Sequence, residues 1–414
     1  VLPNSPSQIR PGHNQVKLQL KRNRLLKKLF DKQLISALDY ELASSEPLPD
    51  KILAFPRLAP HLLESLVNHS KKLRIQASAN NWFKSNLDSV IQSGLEGIRE
   101  KYSRQLALNR IHHFSALVID NNNGEVLGYL GNANYDFKPE SGNAIDLVHR
   151  PRSTGSILKP FLYGVMLEDG LLTPLQLVQD IPIKYEGYAP ENYDLKFRGV
   201  VPAKQALAQS LNVPAVNMLR EYGIDPFLQY LIDAGITTFF RSADEYGLPL
   251  ILGGAEGTLW EMTQLYSQLS QIAQNRMPAP LKISHESLPK KLKGLALSPG
   301  AAWLTLEALV EVNRPGGGGH WKNYSSSRKI AWKTGTSFGF RDGWAIGTTP
   351  EYTVGVWVGN AEGSGVAGLT GTQAAAPMML DIFNLLPRTS WFSKPEFNLK
   401  QISVCENDGY ISNR

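Results

Sequence analysis

The sequence predicts an α+β fold in which one antiparallel sheet is assembled from strands at opposite ends of a long helical stretch. Apolar, strand-like runs occur at Phe114–Asp120 and Glu125–Leu130, and again at Lys329–Ser337, Gly343–Gly347 and Tyr352–Gly359. Between them, Leu171–Arg328 reads as mostly helical with Pro and Gly breaks. Helices between two sets of strands bring distant segments into one sheet, and a final helix at about Thr372–Leu386 would cover one of its faces.

Composition narrows the field. The chain has 414 residues, 42% hydrophobic and 19% charged, which describes a folded protein of several domains rather than a disordered one. A net charge of +6 suits an anionic surface or substrate but makes no case for nucleic acid. No apolar run reaches the roughly 18 residues of a membrane span. No signal peptide is visible and the first residue is not Met, so the chain reads as a mature form or a piece of a longer protein. The single Cys405 excludes an internal disulfide and a thiolate zinc site.

From the start, Val1–Gly12 is proline-punctuated and irregular. Gln15–Leu38 shows helical spacing, with Lys17, Lys21, Arg22, Arg24, Lys27, Lys28 and Lys32 against Asp31. That helix could face an anionic membrane or polymer; the solvated face of an ordinary packed helix is the preferred reading. Pro47, Pro49, Pro56 and Pro60 mark a linker-like stretch, and helical pattern returns at about Asn86–Leu108. Asn121-Asn122-Asn123-Gly124 is a hairpin turn between the first two strands. His112 and His113 are strand neighbours that point to opposite faces, so they are not a metal pair. Gly316–Gly319 reads as a loop. Gly363–Gly368 matches a dinucleotide-binding glycine pattern but lacks the surrounding βαβ unit, and a glycine-rich groove rim is the better reading.

The chemistry centres on Arg152–Gly164. Pro160 is tolerated in a helix only near its start, so a helix is expected to begin at about Ser156 and continue through the apolar run Phe161–Leu167. Ser156 and Lys159 would share one face, near the free N–H groups of the helix start. A buried lysine loses its proton easily and can serve as base to a neighbouring serine. Lys333-Thr334-Gly335 on a strand offers a cation, a hydroxyl and an open backbone edge to a carboxylate-bearing peptide. Ser210-Leu211-Asn212, between a helical stretch and Pro214, is expected in a turn. Each motif alone is explained equally well by a helix start, a strand end or a cap. Together and in this order, S-x-x-K, S-x-N and K-T-G form the signature of penicillin-binding proteins and class A β-lactamases.

The longer stretches RSTGSILKPFLYG, YAPENYDLKFRGVVPAKQALAQSLNVPAVNML, LGGAEGTL, KTGTSFGFRDGWAIGTTPEYTVGVWVGN and LTGTQAAAPMML resemble the transpeptidase domain of class A (bifunctional) penicillin-binding proteins, nearest their 1C type. The resemblance implies a penicillin-binding protein/serine β-lactamase-like α+β domain over 111–395. It implies a C-terminal remnant of a glycosyltransferase domain over 1–46, a linker region over 47–110 and the start of a truncated C-terminal domain over 396–414. Glycan polymerisation is not carried over, since the catalytic glutamate motifs of that domain are not in this chain. The resemblance also suggests a disulfide partner for Cys405 just beyond Arg414.

By the same resemblance, Ser156 attacks the penultimate D-alanine of a peptidoglycan stem peptide ending in D-Ala-D-Ala, with Lys159 taking its proton. The backbone N–H groups of Ser156 and Thr336 form the oxyanion hole. Ser210 relays a proton to the leaving amine and Asn212 holds the donor amide. Lys333, Thr334, Gly335 and Thr336 form the carboxylate-binding strand, and an amine from a second stem peptide completes the cross-link. β-Lactams would acylate the same serine. No cofactor, metal or nucleic acid is implied. The expected place is the periplasmic face of the inner membrane, reached through an anchor outside this chain. A class A β-lactamase is disfavoured because Glu245-Tyr-Gly-Leu-Pro249 has Pro where the deacylating loop carries Asn. A D,D-carboxypeptidase and a non-turnover β-lactam or peptide sensor remain alternatives.

Overall fold

The computed structural model describes residues 8–51, 57–72, 83–136, 141–185, 187–284, 293–312 and 328–412. The expectations for Val1–Ser7 and for Gly316–Gly319 lie outside the described residues. The chain divides into two units, 1–57 and 58–414.

The first unit contains α1 (Gln15–Asp31) and α2 (Ala37–Ser45). The single helix expected over Gln15–Leu38 is broken. Gln33 adopts a left-handed backbone (φ 57), and Ser36 opens α2 through reciprocal hydrogen bonds with Asp39. Lys17, Arg24, Lys27, Lys28 and Lys32 are exposed, as a solvated basic face requires.

The second unit begins with α3 (Pro60–Lys72), which has proline at its first position. Next comes α4 (Ser89–Ala107), capped by the Asp88 carboxylate accepting from Val90 and Ile91 N–H. β1 (His113–Asp120) and β2 (Val126–Leu130) form the expected hairpin. After β3 (Arg152–Ser153) the chain turns into α5 (Lys159–Glu168). That helix starts three residues later than its expected onset at Ser156. Pro160 has no N–H to close an α-turn onto the Ser156 carbonyl, which instead accepts from Lys159 N at 3.4 Å.

The helical middle section is interrupted by a pair of short antiparallel strands, β4 (Leu177–Asp180) and β5 (Gly199–Pro202), too brief for periodicity to register. α6 (Ala203–Ala208), α7 (Asn212–Tyr222), α8 (Ile224–Asp233) and α9 (Ala243–Tyr246) follow. β6 (Glu256–Gly257) pairs with β3. α10 (Leu259–Ala273) opens on a Thr258–Glu261 capping box and α11 (Pro299–Val310) on the Ser298 hydroxyl. β7 (Ala331–Thr336), β8 (Asp342–Thr348) and β9 (Tyr352–Gly359) complete the sheet. The last helix, α12 (Ala376–Leu385), starts later than expected because Gly371–Ala375 forms a π-turn ahead of it.

The five strands run in the order β2-β1-β9-β8-β7, every neighbouring pair antiparallel. Distant segments are joined as expected: β1 pairs along its whole length with β9. Leu117, Ile119, Trp344, Ile346 and Trp357 join the core beneath α5, α10 and α11. Ala116, Val118, Ala345, Val354, Val356 and Val358 face the opposite way, into a core shared with α4 and α12. With both faces covered, the sheet is the rigid middle layer of three. β7 pairs with β8 alone and is the sheet's edge.

Part of the region expected as a linker is thus structural, since α4 buries Ile91, Leu95, Ile98, Tyr102 and Leu106 against the sheet. At the other end, Val404 and Ile411 bridge a small hairpin carrying the exposed Cys405. This hairpin docks on the unit through Leu177 N to Asp408 O (2.7 Å) and Thr173 Oγ1 to Gly409 O (2.8 Å).

Candidate active site

Ser156 lies in the turn between β3 and α5, and Lys159 is the first residue of α5. From Lys159 to Met166 every residue of that helix is buried, which pins the turn from below. The Tyr266 hydroxyl donates to Ile157 O (2.9 Å) and Trp344 Nε1 to Ser153 O (2.8 Å), clamping the turn on either side of Ser156. Two glycines allow it to meet β7. A Cβ on Gly155 (φ +53) would sit 2.7 Å from Thr336 N. One on Gly335 would sit 2.7 Å from Thr154 O and 3.4 Å from Ser156 N. The turn therefore packs directly against β7, Gly155 on Thr336 and the Ser156 backbone on Gly335.

Ser210 is held in an unusual backbone state. α6 ends in a Schellman motif, with Ser210 N bonded to Leu207 O and Leu211 N to Ala206 O, both at 3.0 Å. The left-handed position in that motif ordinarily falls to glycine, and here it is Ser210 (φ 58). The expected turn is therefore present, while Asn212 has already entered α7 as its first residue.

Lys159 Nζ is directed at three acceptors: Ser210 O (2.8 Å), Leu211 O (3.0 Å) and Asn212 Oδ1 (2.7 Å). Lys333 Nζ donates to Ser210 Oγ (2.7 Å) and Thr334 O (2.7 Å). Burial pushes the Lys159 ammonium well below its ordinary pKa, and the charge of Lys333 adds to the effect. Burial alone brings Lys333 down to about 7. Thr336 Oγ1 accepts from Gly371 N (3.0 Å), while Thr334 stays partly exposed at the open edge. The structure thus gathers Lys159, Ser210, Asn212 and Lys333 into one hydrogen-bonded cluster, with Gly335 and Thr336 packed beside Ser156. Among the described residues the Ser156 hydroxyl has no hydrogen-bond partner, so Lys159 and Ser156 are neighbours without being bonded.

One residue that sequence reasoning passed over supports the cluster. Asn192 Oδ1 accepts from Asn212 N (2.8 Å), and its amide donates to the buried Asp180 carboxylate (2.7 Å) and to Lys196 O (2.8 Å). Next to it, Glu191 O accepts from the Asn212 side-chain amide (2.8 Å). These residues lie within YAPENYDLKFRG, where nothing local marks Asn192 as a support. Glu245, weighed as a deacylating base, is exposed and spent on its own cap, accepting from Ser242 N and Oγ (both 2.9 Å).

A comparison with known proteins settles the lineage. Residues 114–384 match the penicillin binding protein transpeptidase domain. The chain belongs to the penicillin-binding protein transpeptidase family. It is 30% identical to penicillin-binding protein 1C of Escherichia coli over 93% of this chain and 48% of that protein. It is 27% identical to penicillin-binding protein 1B of Vibrio cholerae over 89% of this chain and 49% of that one. The chain spans about half the length of these curated relatives. PonA1 of Mycobacterium tuberculosis, solved in complex with penicillin V, superposes with a TM-score of 0.65 at 21% identity, covering 85% of this chain and 98% of that one. Penicillin-binding protein 1A of Haemophilus influenzae gives 0.66 at 17% identity, covering 100% of this chain and 83% of that one. Both superpositions share the transpeptidase fold described above.

Proposed function

We propose that this chain is a peptidoglycan D,D-transpeptidase working through an acyl-enzyme on Ser156, and that β-lactams acylate the same residue. The observation that carries the reading is the convergence of Lys159 from α5, Ser210 and Asn212 from the bend between α6 and α7, and Lys333 from β7 beside the Ser156 turn. A stem peptide ending in D-Ala-D-Ala lies extended along the open edge of β7, with its carboxylate against Lys333, Thr334 and Thr336. Ser156 Oγ attacks the penultimate carbonyl and passes its proton to Lys159. As an ammonium Lys159 satisfies three acceptors; as an amine it has two N–H groups and one lone pair. Its lowered pKa makes that neutral form accessible, and exchanging one acceptor for the Ser156 hydroxyl places the lone pair where it is needed. Ser156 N and Thr336 N stabilise the oxyanion. Ser210, bonded to Lys333, delivers a proton to the leaving D-alanine, and Asn212 holds the donor amide. An amine of a second stem peptide then attacks the ester, forming the cross-link and freeing Ser156.

The setting that fits this activity is the extracytoplasmic face of the bacterial inner membrane. No helix of the described residues is long and apolar enough to cross a membrane. Glycan polymerisation is not among the proposed activities of these residues.

Intact mass after incubation with benzylpenicillin tests the reading. One stable adduct is expected on the wild type and none on Ser156→Ala. Rapid return to the unmodified mass would point to a β-lactamase, and a wild type that never gains mass would leave only a non-catalytic module.

A further inference from the structure

Between α5, α6 and α11 lies a cavity of about 440 Å³, within the roughly 300–1,000 Å³ typical of small-molecule sites. None of Ser156, Lys159, Ser210 and Lys333 lines it. α11 contributes Trp303 and Glu307, with Glu311 at its end, recurring at four-residue intervals along one helix face. Tyr163 comes from α5 and Lys204 from α6, and Leu175, Leu304, Ile402 and Val404 supply apolar walls.

Most polar groups around this cavity are engaged. Thr173 Oγ1 donates to Gly409 O, and Glu307 Oε1 accepts from Lys329 Nζ (3.1 Å) and from Trp391 Nε1. Lys204 Nζ and Glu311 Oε1 stand 3.7 Å apart, an ion pair too long for a hydrogen bond. Two groups are left over. The Tyr163 hydroxyl and Trp303 Nε1 are both buried, and neither has a hydrogen-bond partner among the described residues. Tyr163 as a whole is 0% exposed. Burial, joined by the charge of Glu311 across the cavity lining, raises its pKa above the ordinary 10, so the hydroxyl keeps a proton to donate. An indole N–H can only donate.

Buried donors without acceptors are costly, and a ligand that brings an acceptor relieves them. The charges narrow its chemistry. The lining holds two carboxylates, Glu307 and Glu311, against the single ammonium of Lys204, which disfavours an anion. Two leftover donors offer a cation nothing to bind. An uncharged carbonyl meets both conditions, and a carboxamide adds N–H groups for Glu311, whose pairing with Lys204 is loose. The apolar walls suit an apolar body.

We propose that this cavity is a binding site for a small apolar molecule carrying an uncharged carboxamide, with the Tyr163 hydroxyl as donor to its carbonyl and Trp303 beside it. The site is separate from the Ser156 cluster and does not depend on the transpeptidase reading. The test is a ligand-observed NMR titration with Nα-acetylphenylalaninamide and with Nα-acetylphenylalanine, which has a carboxylate in place of the amide. The wild type should bind the amide with a Kd of about a millimolar or tighter, the scale expected for a ligand of this size. The carboxylate should bind roughly ten-fold more weakly or worse. Tyr163→Phe should weaken amide binding by about three- to ten-fold, the scale of a neutral hydrogen bond, without lowering the thermal unfolding midpoint, since the hydroxyl it removes has no partner. Ile402→Trp, at a partly exposed position of the lining, should block binding. No binding by the wild type, equal binding of the two probes, or binding untouched by Tyr163→Phe would each overturn the proposal. So would binding that survives in Ile402→Trp, because it would come from elsewhere on the protein.

Discussion

Lys333 Nζ and Ser210 Oγ meet at 2.7 Å across 123 residues of chain, joining the sheet edge to the end of α6. Because burial sets Lys333 to about 7, this contact changes character within the ordinary working range of pH. Raising the pH through that value removes the charge that, in the proposed function, attracts a substrate carboxylate. The second-order rate of acylation by benzylpenicillin should therefore fall on the alkaline side with a midpoint near 7, since this rate reports the free enzyme. Stopped-flow acylation between pH 5.5 and about 9.5 measures it, and a flat profile would remove Lys333 from carboxylate recognition.

Stability carries the same titration with its own sign. The folded pKa of Lys333 lies below the ordinary 10.5. Between about 7 and 10.5 the unfolded chain therefore holds a proton that the folded chain has lost, and the unfolding free energy rises with pH across that window. Below about 7 both states are protonated and the full penalty of burying the charge remains. Lys159 acts in the same direction. Urea unfolding at pH 7 and pH 9.5 should show the wild type gaining stability, and Lys333→Met gaining less. Equal gains in the two proteins would contradict the depressed pKa.

Ser210 holds a backbone conformation that favours glycine, and its hydroxyl accepts from Lys333 Nζ. Ser210→Ala and Ser210→Gly both remove that hydroxyl and differ mainly in the strain at φ 58. The glycine variant should be the more stable of the two by about 1 kcal/mol, and both should turn over D-Ala-D-Ala substrates far more slowly than the wild type. Matching unfolding midpoints for the two variants would show that the turn carries no strain.

Gly335→Ala places a methyl group 2.7 Å from Thr154 O and 2.9 Å from Ile157 Cγ1. Either β7 or the Ser156 turn must give way. The expected result is a loss of about 1–3 kcal/mol of stability and an acylation rate at least ten-fold lower. Thermal unfolding and benzylpenicillin kinetics check the two separately, and wild-type kinetics would mean that the contact between Gly335 and the turn does not matter.

Asn192 acts through Asn212 as a positioning residue. Asn192→Ala removes the side-chain acceptor of Asn212 N and one donor of the buried Asp180 carboxylate, which keeps Arg198 N (3.0 Å), at a cost of about 1–3 kcal/mol for the group left unsatisfied. With Asn212 displaced, the acylation rate constant itself should drop about ten- to a hundred-fold in protein shown by circular dichroism to be folded. A fall in folded fraction alone, with an unchanged rate per folded molecule, would reduce Asn192 to a structural role.

Most of the sheet was legible because its strands are long and apolar, and because helices lie between their two groups. The motif residues were legible because three short patterns occur in a fixed order. The onset of α5 was misplaced, since the effect of Pro160 falls on the Ser156 carbonyl four residues back and not on the proline itself. β4 and β5 escaped because four-residue strands leave too little periodicity. Asn192 and Asp180 escaped for another reason: their work lies in partners that only the fold brings near, and an asparagine in a loop looks the same whether it faces solvent or Asn212. Asp342, the first residue of β8 and just ahead of the strand expected from Gly343, gave no sign that its carboxylate would be buried.

The sheet ends on β7, and for most proteins a terminal strand is a hazard to be blunted with bulges, prolines or a covering helix. Here such a cover would close the proposed enzyme, because the proposed substrate pairs with that edge. Two segments stand against the strand instead: the Ser156 turn packs on Gly335, and the Ser210–Asn212 bend meets Lys333. The residues proposed for the chemistry are thus the ones that flank the unpaired strand.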